Sequence, residues 1–182
     1  MLEGLNRINW SQLHHAYGEA SDVPALIRQL LSPDKAVVDK AIYELFGNIW
    51  HQGTIYEASS YAVPFLYELL KSSETPNKLM VAYLLASLAT GKCHLHDELN
   101  EKDTMQWRKV YEKRGRTLEE EIVEQRKHEQ NVRHEIEKEF SLLYPYLFCE
   151  ESEIRNETAK AFGEYPQFKS ETLPLLEKAL AF

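Results

Sequence analysis

Val23-Pro24-Ala25-Leu26-Ile27-Arg28-Gln29-Leu30-Leu31 and Val63-Pro64-Phe65-Leu66-Tyr67-Glu68-Leu69-Leu70 carry one pattern, an apolar residue and a proline followed by leucines and aromatics at helical spacing. Tyr144-Pro145-Tyr146-Leu147-Phe148 and Leu173-Pro174-Leu175-Leu176 repeat it more loosely. Proline belongs in the first turn of a helix, where its missing N–H breaks no internal bond. Each motif therefore predicts a helix start. The first two prolines stand 40 residues apart, the spacing of a two-helix repeat; the next gap, 81, is about two such periods, and the last is 29. The pattern predicts a degenerate all-α repeat with one insertion.

Outward from these motifs, Asp22, Ser32-Pro33-Asp34 and Thr75-Pro76-Asn77 read as helix caps. Val37, Val38, Ala41, Tyr43, Leu45, Phe46 and Ile49 make a broad apolar face, and residues 79–88 are almost wholly apolar, as a central buried helix would be. No alternating β-branched run is present, so strands are not expected. The pattern predicts helices over 10–17, 22–31, 34–49, 55–71, 76–90, 98–114, 117–139, 140–148, 153–163 and 171–181. One continuous core should gather Leu26, Leu30, Leu45, Phe65, Leu69, Leu84 and Leu88 within a single domain, residues 1–182.

Residues 97–139 differ, with 13 acidic and 10 basic residues among 43. Gly115 divides them, and Thr117-Leu118-Glu119-Glu120 is a capping box. A long charged helical hairpin is expected here, inserted into the repeat and projecting from it on the thin stripe Leu118, Ile122, Val132 and Ile136.

Composition narrows the function. The chain has 182 residues, 43% hydrophobic and 27% charged, which are globular values. It lacks the long apolar run of a membrane span and opens without a secretory signal pattern, so no membrane association is expected. Cys93 and Cys149 lie far apart and form no disulfide framework, which fits a reducing cytoplasm. A net charge of −8 argues against nucleic acid and favours a basic protein partner.

His15-Ala16-Tyr17-Gly18-Glu19-Ala20-Ser21-Asp22-Val23-Pro24 resembles the small bacterial HEAT-like repeat proteins. So does Gly47-Asn48-Ile49-Trp50-His51-Gln52-Gly53-Thr54-Ile55-Tyr56-Glu57-Ala58, running on to Phe65-Leu66. The likeness covers residues 10–90 well and 140–182 only as generic repeats; the charged insertion departs from it. It implies an α–α superhelix with a non-catalytic, protein-binding role, of the kind some such proteins serve as immunity proteins against toxins. It also implies a rival, since HEAT-like folds occur in DNA-repair glycosylases. No catalytic motif is carried over.

Among site candidates, the segment Trp50–Glu57 stands out. Gly53 suits a turn with positive φ, and Thr54-x-x-Glu57 reads as a capping box. Trp50, His51, Gln52 and Tyr56 are then left without a structural need, in residue types favoured at interfaces. They are the expected binding residues, exposed on a pocket or contact surface.

A metal is not expected. His14 and His15 are adjacent, His128 and His134 are six apart, and Lys138 stands where a zincin motif beginning at His134-Glu135 needs its second histidine. Cys93-His94-Leu95-His96-Asp97 is the one mixed ligand cluster, and it reads as an exposed turn. No cofactor motif is present.

Overall fold

The computed structural model describes residues 1–95 and 101–180. The chain is all-α in class, its strands being limited to two-residue pieces. In order, the elements are β1 (His14–His15), β2 (Gly18–Glu19), α1 (Val23–Gln29), α2 (Lys35–Ile49), β3 (Trp50–His51), β4 (Thr54–Ile55), α3 (Glu57–Lys71), α4 (Lys78–Thr90), α5 (Glu101–Glu112), α6 (Leu118–Glu137), α7 (Ser152–Glu164) and α8 (Lys169–Ala179). Tighter 3-10 turns cover Glu3–Arg7, Trp10–Gln12, Phe140–Phe148 and Pro166–Phe168. None of the described helices is long and apolar enough to cross a membrane.

Helix α4 is the centre. It is apolar around most of its circumference, with Val81, Ala82, Leu84, Leu85, Ala86, Leu88 and Ala89 all buried, so neighbours must cover several sides. Helices α2, α3, α6 and α7 do so. The expected core leucines and Phe65 fall in one continuous cluster.

Several starts differ from the sequence reading. Of the four motif prolines, Pro24 alone sits in a first turn; Pro64, Pro145 and Pro174 lie inside their helices. The caps are Asp34, which accepts from Ala36 N at 2.9 Å, and Asn77, which accepts from Met80 N at 3.2 Å. Ser32 instead accepts from the N–H of Asp34, and the Thr75 hydroxyl donates to Leu69 O at 2.7 Å. Asp22 spends its carboxylate on tertiary bonds, 3.0 Å from His15 Nε2 and 2.6 Å from Asn48 Nδ2.

The helix expected over 10–17 is a short turn followed by an antiparallel hairpin, β1 with β2. A second hairpin, β3 with β4, interrupts the run from α2 to α3. Each hairpin uses positive φ: Gly18, at 122°, opens β2, and the tip of the second hairpin holds Gln52 at 52° and Gly53 at 90°. Positive φ at both central residues is the tight hairpin turn whose twist matches its strands.

The charged segment turns at Gly115, where φ is 72°, and α6 opens on the expected capping box between Thr117 and Glu120. It does not project freely. Val132 and Ile136 are 1% and 0% exposed within the main core, and the Tyr67 hydroxyl donates to Ile136 O at 2.9 Å. Only α5 and the start of α6 stand apart, on a small cluster of Leu95, Tyr111 and Leu118 with Trp107 and Ile122.

Candidate functional site

Helix α2 turns its buried face to α1 and α4 and leaves a stripe formed by Tyr43, Phe46, Gly47 and Trp50, which fall on one side at helical spacing. Tyr43 is 79% exposed. Phe46 and Trp50 meet edge-on, ring centres 5.8 Å apart at 88°, and Phe46 lies 5.1 Å from the ring of Tyr83 on α4. With Met80 and Asn77 these rings border an open groove of about 520 Å³. The indole N–H of Trp50 is buried and has no acceptor among the described residues.

A further ring lies beside Gly47. A Cβ built there would stand 3.9 Å from Tyr17 Cε2, an ordinary contact distance, so the Tyr17 side chain, 69% exposed, lies alongside α2 at this point. Tyr17 reaches across to the second hairpin, its hydroxyl 3.3 Å from His51 Nδ1 and the rings 5.5 Å apart edge-on. The two hairpin tips are thus joined by one aromatic contact. Behind it, the Tyr17 N–H donates to His15 Nδ1 at 3.0 Å. That bond makes Nδ1 the acceptor, so Nε2 carries the proton and donates to Asp22.

The expected binding residues therefore divide. Trp50 and His51 are half-buried, Trp50 against Phe46 in the groove wall and His51 against Tyr17. Gln52 occupies the exposed tip with positive φ, a backbone duty rather than a spare side chain. Tyr56 is the residue before α3, and its N–H donates to Ser59 Oγ at 2.8 Å, so Ser59 rather than the Thr54-to-Glu57 pair closes the cap. Thr54 instead pairs with His51 across the hairpin. The rings at 17 and 83 were not singled out from the sequence, and Tyr43, counted there with the apolar face of α2, is instead exposed; the signal was the stripe Tyr43, Phe46, Trp50, unbroken on a helix already assigned.

Tyr56 belongs to a second, smaller cleft of about 190 Å³ between the hairpin and α6, shared with His14, Glu57, Arg116, Glu124 and His128. Its phenol is pushed upward in pKa, chiefly by burial. His14 Nδ1 stands 3.5 Å from Glu57 Oε2, and Arg116 pairs with Glu121 and Glu124. His128 is held below its ordinary range by burial, against the pull of Glu57, Glu124 and Glu121.

The turn at Cys93, expected to be exposed, is so only in part: His94 is exposed, whereas Cys93 and Leu95 are buried. Lys92 joins the hairpin through a parallel bridge, with Ile55 N donating to Lys92 O and Lys92 N donating to Gly53 O, each at 2.9 Å. This tucks Cys93 under β4, 3% exposed, while Leu95 is 1% exposed in the small cluster. Burial pushes the Cys93 thiol up to about 12, with Glu129 adding to the effect, and Sγ donates to Gln125 O at 3.0 Å. A neutral, hydrogen-bonded thiol is a poor nucleophile and a poor metal ligand. His94 stacks edge-on with Trp107, ring centres 4.6 Å apart; His96 and Asp97 of the same cluster lie outside the described residues. Among the described residues no group of three or more His, Cys, Asp or Glu could hold a metal ion. Compared with known protein families, characterised proteins and solved structures, the chain matches none of them.

Proposed function

We propose that this chain is a non-catalytic protein-binding module of HEAT-like helix pairs that docks a basic protein on its aromatic strip. The reading is supported above all by the groove of Tyr43, Phe46, Trp50, Met80 and Tyr83, uncovered by any described segment. Water-facing tyrosine, tryptophan and methionine in one place are what interface hot spots are made of, because they offer large apolar area at low conformational cost. The net charge of −8 adds long-range attraction for a basic partner, a toxin occluded by an immunity-type protein being one such case.

A photo-crosslinking residue at position 43 in the native host identifies the partner, which is then purified. Trp50→Ala and Tyr43→Ala should each weaken its binding by about 1–3 kcal/mol in calorimetry. The association rate should fall as salt rises. Undiminished affinity in both variants overturns the proposal, as does a crosslinked partner that is nucleic acid.

A further inference from the structure

We infer that α5 and the first half of α6 form a pH-sensitive flap, released from the second hairpin when the imidazole of His128 takes up a proton. The device stands apart from the aromatic strip and does not depend on the docking role proposed above.

The two halves of α6 are fastened differently. Beyond His128 the helix is tied to the body. Val132 and Ile136 lie in the main core, and the Tyr67 hydroxyl donates to Ile136 O at 2.9 Å. The Arg133 guanidinium donates to Glu164 O and stands 4.4 Å over the Tyr165 ring. Before His128, Leu118 belongs to the small outlying cluster with Leu95 and Tyr111. The ion pairs of Arg108 with Glu119, and of Arg116 with Glu121 and Glu124, lie within this arm and do not fasten it to the body. Gln125 ties the arm to the loop after α4: its Oε1 accepts from Leu95 N at 2.8 Å and its carbonyl from Cys93 Sγ at 3.0 Å. A segment with few buried apolar contacts is the part of a fold that opens first.

His128 sits at the changeover, on the wall of the cleft of about 190 Å³ between α6 and the hairpin. It is half-buried, and no described residue hydrogen-bonds its ring. Charged groups face it from two helices, Glu57 on α3 and Glu121, Glu124 and Lys127 on α6. The same cleft takes His14 from β1, Arg116 from the turn before α6, Tyr56 from the end of the hairpin, and Cys93 and His94 from the loop after α4.

The carboxylates are already committed. Glu57 Oε2 accepts from His14 N at 3.3 Å and lies 3.5 Å from His14 Nδ1. Glu121 pairs with Arg116 and accepts from Gln125 Nε2 at 2.9 Å, and Glu124 pairs with Arg116. An imidazolium formed in the closed cleft therefore displaces Arg116 or His14, or stays unpaired while burial withholds part of its hydration. Opening the flap restores that hydration. Burial holds the ring's pKa below its ordinary range against the pull of the three carboxylates, in the direction this geometry requires. In the open form the ring titrates at its ordinary value, so the open population grows as pH falls below about 6.5.

The test is hydrogen exchange on the full chain at pH 7.5 and 5.5, corrected for the intrinsic pH dependence of exchange, with the His128 ring followed by NMR over the same range. Protection over residues 101–124 should fall severalfold at the lower pH while that of α4 holds. The loss should follow the titration of the His128 ring. It should vanish in His128→Gln and persist in His134→Gln, which alters an exposed histidine on the same helix. Protection that is unchanged or greater at pH 5.5 overturns the inference, as does an equal loss in α4 or a loss that survives in His128→Gln. Should His128→Gln fail to fold, the unsubstituted chain still decides: a ring titration that does not coincide with the loss of protection overturns it too.

Discussion

Gly91 ends α4 in an ordinary conformation, so its small size rather than its backbone freedom is what matters. A Cβ there would stand 2.4 Å from Ile55 Cγ2, where β4 crosses the helix end beside the Lys92 bridge. Gly91→Ala should therefore force the hairpin off α4 and destabilise the chain by about 1–3 kcal/mol in urea unfolding. Two buried hydroxyls point the other way. Ser87 Oγ on α4 and Thr158 Oγ1 on α7 have no partner among the described residues, at 1% and 0% exposure. Removing an unsatisfied polar atom from an apolar contact relieves its desolvation. Ser87→Ala and Thr158→Val should each stabilise by about 0.5–1.5 kcal/mol, whereas loss of stability would show that these hydroxyls have partners in solution. None of the three positions announces itself in the sequence, because each depends on what the fold brings opposite it.

Helix α6 carries two environments along its length. Its end is core, so Ile136→Ala should cost about 2–5 kcal/mol, while Val123→Ala, at a site 68% exposed, should leave urea stability within about 0.5 kcal/mol. His128 sits between these halves and supplies a pH dependence. Its folded pKa is lowered by burial, so below the ordinary value of 6.5 the unfolded chain takes up a proton that the folded chain resists. Stability from this group is thus fully present above that value and falls as pH drops through it. Urea midpoints at pH 7.5 and 5.5 should differ in the expected direction, and the difference should shrink in His128→Gln. The charged hairpin was legible because Gly115 and the Thr117 box are local signals. Val132 and Ile136 were read as part of its narrow packing edge, but that this edge seats the helix across α3 instead of letting it project was not legible, since a thin stripe looks alike in both cases. The hairpins at His14–Glu19 and Trp50–Ile55 escaped for a related reason: their strands are two residues long, too short for any alternation to register. Gln52-Gly53 was the readable trace, its glycine already marking a turn with positive φ.

At the scale of the molecule, one large core joins the first residues to Tyr165, and the small cluster around Tyr111 lies outside it. Hydrogen exchange should accordingly find α5 opening well before α4, at a free energy below that of global unfolding. The aromatic strip draws on Tyr17, on α2 and on α4, so its expected members Trp50 and His51 were visible as residue types, whereas the surface itself exists only after the helices pair. Order of synthesis adds a further constraint. The face of α4 that ends beneath α7 leaves the ribosome about 70 residues before its cover does, which at about 5–20 residues per second is an interval of several seconds to about fifteen. For that time a strip of leucines lies bare on a nascent chain, available to trigger factor-like chaperones or to neighbouring polysomal chains. Codon-level slowing between α4 and α7 should lower soluble yield, and the same slowing after α7 should not.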